Sequence, residues 1–102
     1  MLIVEGWVRA APADIETLKG PLKTMVAATL AEPGCLQYAL SEDLLDPGLL
    51  RIVEKWTDDA ALSAHLQAPH VAAFSAAIAG LARKGTEIKV YHASELRTLV
   101  AN

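Results

Sequence analysis

CLQYALSEDLLDPGLLRIVEKW, residues 35–56, is the stretch that decides the fold. Its first third sets Leu36, Tyr38 and Leu40 against Gln37 and Ser41, an alternation of period two that gives a strand two unlike faces. Asp46-Pro47-Gly48 then supplies a turn, because proline presets its own backbone angle and glycine accepts the conformations that turns demand. LLRIVEKW, residues 49–56, runs back as a second strand, and the two are predicted to pair as a hairpin. An isolated hairpin is marginal in water, so its apolar face needs further strands and a helical layer.

Those elements lie on either side. LIVEGWVR (2–9) is β-branched and aromatic, too short for a stable helix, and reads as a strand. Pro12 fits a first helical turn, and Ile15, Leu18, Leu22, Met25 and Thr29 then recur at helical spacing. Gly20-Pro21 is expected to break or kink this helix, and Glu32-Pro33-Gly34 to end it. After the hairpin, Thr57 or Asp58 can cap a helix with an acidic first turn, on which Leu62, His65 and Leu66 share a face. Pro69 interrupts, and Val71, Phe74, Ile78 and Leu81 resume until Arg83-Lys84-Gly85 supply a basic last turn and a stop. TEIKVYHA (86–93) is the fourth strand, and the apolar Leu96, Leu99 and Val100 predict that the tail packs on something.

The order βαββαβ with short links predicts a single α+β domain over residues 1–102. Its expected form is a ferredoxin-like four-stranded antiparallel sheet with both helices on one face. In the first strand Ile3 and Trp7 share a face with Glu5 and Arg9, while Leu2, Val4 and Val8 point the other way. A sheet carrying apolar groups on both sides should bury its second side, and a second copy of the chain is the simplest cover, so a homodimer is expected.

Composition removes several classes. Nine Lys and Arg against 12 Asp and Glu give a net charge of −3, which offers the phosphate backbone no basic field, so nucleic acid is not an expected partner. The uncharged run 67–82 falls short of the ~20 residues of a membrane span and contains Pro69 and His70, so no membrane partner is expected. MLIVEGWVR lacks a basic n-region and meets Glu5 early, unlike a secretory signal. The single cysteine, Cys35, allows no internal disulfide and reads as a small apolar strand residue, consistent with a cytoplasmic protein.

Metal ligation is the first chemistry to weigh. His65 and His70 stand five apart, about 140° of rotation on an uninterrupted helix, so they are not expected to face one ion, and no metal motif is present. Phosphate loops and a nucleophile elbow are absent too. There remain Trp7, Tyr38, Glu54, Trp56, His65 and His70. Glu54 and Trp56 share a strand face with Ile52, and each reads equally as a pairing or core residue and as part of a pocket. His65 lies among inward leucines, where a buried titratable ring is either a satisfied core histidine or a working base. His70 reads as a polar group at a helix restart, and His92 has no assigned role.

The run from Glu32 to Phe74 resembles the antibiotic biosynthesis monooxygenase domain family, including its quinol monooxygenase branch. The resemblance rests on the E-P-G-C turn, on E-x-W at Glu54 to Trp56, and on A-x-x-x-H-L-x-x-P-H through Ala61 to His70. It implies a dimeric α/β barrel with one cleft per subunit between sheet and helices. It also implies oxygen chemistry without metal, flavin or other cofactor. Ground-state O₂ reacts slowly with closed-shell organic molecules, so the substrate itself, a small aromatic or quinone-like molecule once deprotonated, must supply the electrons. Such a site needs apolar walls, a base and a hydrogen-bond donor. The resemblance makes His65, Glu54 and Tyr38 the candidate catalytic residues, with Trp7, Met25, Trp56, His70 and Phe74 as candidate substrate contacts. Heme-degrading relatives carry an Asn, Trp, His triad, whereas Ile3, His65 and Ser75 align there, which argues against heme chemistry. Two other readings stay open: an isomerase of a sugar phosphate or lactone, with Arg9, Arg51 or Lys55 as cationic contacts, and a non-enzymatic dimer that binds an effector. Arg51 and Lys55 share the strand face opposite Glu54 and Trp56, which counts against a phosphate in that pocket.

Overall fold

The computed structural model describes residues 1–79 and 84–102. The elements run β1 (Leu2–Arg9), α1 (Pro12–Leu30), β2 (Cys35–Glu42), β3 (Leu49–Trp56), α2 (Asp59–Leu66), α3 (Pro69–Ala77) and β4 (Gly85–His92). The four strands form one antiparallel sheet in the order β2-β3-β1-β4, with the expected β2–β3 hairpin at one side. This is the ferredoxin-like α+β arrangement.

Leu2, Val4 and Gly6 of β1 and Leu50, Ile52, Glu54 and Trp56 of β3 are buried, as the alternation requires of one face under helices. One departure lies in β2, where the register slips between Cys35 and Gln37. The extra residue, Leu36, is 57% exposed, whereas Tyr38 faces inward beside Glu54.

Of the break or kink expected at Gly20-Pro21, a break does not occur: α1 runs through Pro21 as one helix. Proline costs it a backbone hydrogen bond, but Leu18 before it and Met25 after it are both buried, so packing holds the helix together across the proline. Pro69 does interrupt, and the downstream helix becomes α2 and α3, with Ala68 extended between them. Asp58, not Thr57, caps α2, its Oδ1 accepting the Ala61 N–H at 2.9 Å. Helix α3 closes at Ala77 rather than continuing to Leu81; Leu81 and Arg83 lie outside the described residues.

The buried core divides into two clusters, one around Leu2, Val4, Met25, Tyr38, Trp56 and Leu62, the other around Ala10, Ile15, Leu18 and Leu50. At the edge, β4 is largely uncovered, with Ile88 and Val90 exposed on the helical side and Tyr91 on the other. The tail does not pack within the chain: Leu96, Leu99 and Val100 are 87%, 82% and 76% exposed. Among the described residues Ala93 ties it back, donating its N–H to the Met1 carbonyl.

Gly6 lets β4 approach β1. A Cβ there would press into the Glu87 carbonyl and lie 2.7 Å from Ile88 Cα, both backbone atoms that no side-chain motion can clear. Gly6→Ala is therefore expected to cost about 1–3 kcal/mol and to loosen β4 selectively. Urea unfolding with amide exchange along β4 measures both, and unchanged protection of β4 would contradict this account.

Candidate active site

Between the helical layer and the sheet, and lined by members of both core clusters, lies a cavity of about 420 Å³. Its floor is β1, β2 and β3, through Val4, Val8, Tyr38, Leu40, Ile52 and Glu54. Helix α1 contributes Leu18, Leu22 and Met25, α2 contributes Leu62, His65 and Leu66, and Val71, Phe74 and Ile78 close the third side. The poorly covered Ile88 and Val90 of β4 form the remaining wall. Three side chains with polar tips enter an otherwise apolar lining: Tyr38, Glu54 and His65.

The sheet places two of them side by side, because Tyr38 and Glu54 are register partners on adjacent strands. Glu54 is held by its neighbour on the same strand face, Trp56, whose indole Nε1–H donates to Glu54 Oε1 at 2.9 Å. Burial raises the Glu54 carboxyl above its usual range, and the indole hydrogen bond and His65 draw it partly back. For Tyr38, burial and then the charge of Glu54 push the phenol well above its ordinary value, so it stays protonated and able to donate. The Cys35 thiol is also raised, by burial and by Glu32 and Glu54, which keeps it from acting as a thiolate at neutral pH.

A raised Glu54 binds its proton more tightly folded than unfolded, so its stabilising contribution is present at low pH and lost as pH rises through the folded value. Glu54→Gln removes that loss. The variant is expected to be more stable than the parent at neutral pH and to converge with it in acid. Thermal melts across the acid-to-neutral range test this, and a variant less stable than the parent at neutral pH but equal to it in acid would show that the carboxylate is needed as an anion.

His65 is 4% exposed, wedged between Tyr38 and Trp56 with ring centroids at 5.4 and 4.8 Å. Its Nδ1 lies 2.7 Å from Glu32 Oε2. A carboxylate accepts, so Nδ1 carries the proton and Nε2 is left as the basic nitrogen of a ring that lines the cavity. The residue that orients the ring is thus Glu32, which the sequence marks as a helix stop and as the first residue of the E-P-G-C turn but not as a partner of His65. Its signal was the E-P-G-C turn. Gly34 there has φ +83°, and a Cβ on it would meet Ala61 and Thr57 of the α2 start at 2.6 and 2.7 Å. The Thr57 N–H donates to the Gly34 carbonyl at 2.9 Å, so the turn lies directly against the helix that carries His65.

The structure therefore gathers His65, Glu54, Tyr38, Met25 and Phe74 around one cavity. Three other candidates stand elsewhere. Trp7 is on the opposite face of the sheet, paired in register with Arg51 and Glu87, because residue 7 alternates against Val4 and Val8. Trp56 is completely buried and supports Glu54 and His65 from behind the lining. His70 lies outside the lining, its Nε2 3.4 Å from Glu32 Oε2. That corrects the inference from spacing about the two histidines. The interruption at Pro69 starts a new helix, and metal-ligating atoms of Glu32, His65 and His70 all fall within 4.8 Å of one another. The cations considered for a phosphate are not in the cavity: Arg9 pairs with Asp46 and Arg51 with Asp43, at 2.6 and 2.8 Å, and Lys55 is on the open sheet face.

Known proteins share this architecture. A crystal structure described as a "putative antibiotic biosynthesis monooxygenase" from Deinococcus radiodurans superposes with a TM-score of 0.88 at 33% identity, covering 99% of this chain and 100% of that one. "Probable quinol monooxygenase YgiN" of Escherichia coli (strain K12) is 31% identical over 90 residues, 78% of this chain and 86% of YgiN. "Putative monooxygenase YcnE" of Bacillus subtilis (strain 168) is 28% identical over 76 residues, 74% of this chain and 80% of YcnE. The family model for antibiotic biosynthesis monooxygenases matches residues 1–77, which contain the cavity's helices and three of its strands together with Glu32, Tyr38, Glu54 and His65, and the chain belongs to that family.

Proposed function

We propose that this protein is a cofactor-independent monooxygenase that oxidises a quinol or related polyhydroxy aromatic with O₂ in the cavity between sheet and helices. The observation that carries the reading is the Glu32–His65 pair. A carboxylate fixes the imidazole tautomer at 2.7 Å, and the ring lines an apolar cavity, an arrangement suited to taking a proton from a bound phenol. Family membership and the relative named as a quinol monooxygenase support the same reaction class.

In this mechanism the aromatic substrate lies among Met25, Phe74, Leu62 and the sheet floor, and His65 Nε2 removes a phenolic proton. The resulting phenolate delivers electrons to O₂, and a ring carbon bonds to oxygen as a hydroperoxide. The Tyr38 hydroxyl, held protonated, donates to the oxygen on which negative charge develops. Loss of water gives the hydroxylated quinone: quinol plus O₂ becomes hydroxyquinone plus H₂O, with one oxygen atom in each product and all electrons from the substrate. Glu54, its proton affinity raised, relays the proton that leaves with water. The sugar-phosphate isomerase alternative has weaker support, because the described cavity lining contains no Lys or Arg for a phosphate.

The working unit in this proposal is a homodimer closed sheet to sheet. Ile3, Trp7 and Val53, half-buried on the open face, and the exposed tail leucines support it. The deciding experiment is O₂ uptake by metal-stripped protein over a panel of hydroquinones, corrected for autoxidation and run with isotopically labelled O₂. Saturable uptake with a single labelled oxygen in the product is expected. A flat response across the panel would overturn the assignment.

A further inference from the structure

We propose that Glu32, His65 and His70 constitute a binding site for a divalent transition-metal ion of the zinc class, and that occupation disables the base at His65. The second half rests on the catalytic reading above; the first does not.

Three different segments supply the ligands: the turn after α1, helix α2 and the first turn of α3. Glu32 Oε2 is 2.7 Å from His65 Nδ1 and 3.4 Å from His70 Nε2, and the three residues each bring one ligating atom to within 4.8 Å of the others. A tetrahedral ion with bonds of about 2.0–2.1 Å requires donors roughly 3.4 Å apart, the spacing found between Glu32 and His70. An independent observation points the same way. His70 Nε2 is buried and has no hydrogen-bond partner among the described residues, though it lies beside Glu32. A buried ring nitrogen without a partner is costly, and a metal ion would satisfy it. Two imidazole nitrogens and one carboxylate favour zinc, cobalt, nickel or copper over magnesium or calcium, whose preferred ligands are oxygens. Glu32 and His70 retain 16% and 21% side-chain exposure, which leaves an entry path and room for a fourth, water ligand.

The ion and the working base exclude each other. To bind His65 Nδ1 the metal must displace the proton that Nδ1 donates to Glu32, and in a neutral imidazole that proton moves to Nε2. His65 Nε2 is then a donor with no free lone pair, and Glu32 holds the metal in place of the ring.

Cobalt(II) titration of the metal-stripped protein, followed by visible d–d absorption and equilibrium dialysis, tests the site. One ion per chain, displaced by zinc, is expected, with Glu32→Gln and His70→Gln each weakening binding by about two orders of magnitude. In the unaltered protein, ¹⁵N spectra of the His65 ring should change from the Nδ1–H to the Nε2–H tautomer when zinc is added, a readout that depends on no variant's folding. Absence of cobalt uptake at millimolar concentration, uptake unaffected by both substitutions, or zinc uptake with the His65 tautomer unchanged would each overturn the proposal. None of these readouts uses turnover, so failure here is distinct from failure of the oxygen chemistry.

Discussion

His65→Ala is expected to lower quinol-dependent O₂ uptake by about 10²–10⁴-fold, the usual contribution of a positioned general base. The ring is nearly inaccessible and packs between Tyr38 and Trp56, so the substitution also opens a void and strands the Glu32 carboxylate. Thermal melts must therefore accompany the kinetics, with rates measured well below the variant's transition. Glu32 separates chemistry from packing. As a positioning residue it touches His65 and not the cavity, so Glu32→Gln, which can still accept from Nδ1–H, should reduce kcat modestly with little change in KM. Glu32→Leu, which cannot accept, should approach the His65→Ala rate. Equal rates for the Gln and Leu variants would show that orientation by Glu32 is not what matters, and uptake preserved in His65→Ala would remove His65 from the mechanism.

Trp56→Ala carries the largest expected stability loss, about 3–5 kcal/mol, because a wholly buried indole is deleted from the centre of the larger core cluster. Against a total stability of roughly 5–15 kcal/mol for a domain of this kind, that is enough to leave a substantial unfolded population. Trp56→Phe is more informative. It keeps most of the packing but removes the Nε1–H that Glu54 accepts, so a cost of about 1–3 kcal/mol is expected from the unsatisfied carboxylate. Adding Glu54→Leu to Trp56→Phe removes both partners and should recover most of that loss. Urea unfolding of the four proteins in the cycle measures the coupling; additive effects would mean that the indole acts by packing alone.

The fold was legible because its signals are local. Alternation in β1 and β3 assigned each residue to a face, and Asp46-Pro47-Gly48 marked the hairpin without knowledge of any distant contact. The errors arose where packing or an extra residue overrode local preference. The bulge at Leu36 turned one leucine outward, and burial of Leu18 and Met25 carried α1 through a proline that by itself predicts a break. Trp7 was legible in the period of its own strand, and its placement in a pocket gave aromatic character precedence over alternation.

By itself, then, the sequence determined the order of elements, the buried faces of β1 and β3, the identity of the family and Tyr38, Glu54 and His65 as candidates, all of which depend on short-range pattern or motif spacing. Only the tertiary structure decided what His65 meets. Its partner Glu32 is 33 positions away in the chain, and His70 joins them because the backbone bends at Ala68 between two helices. No periodicity reports a contact at that separation. It is made when the glycine turn closes against the start of α2, and that closure brings three scattered side chains into one cluster.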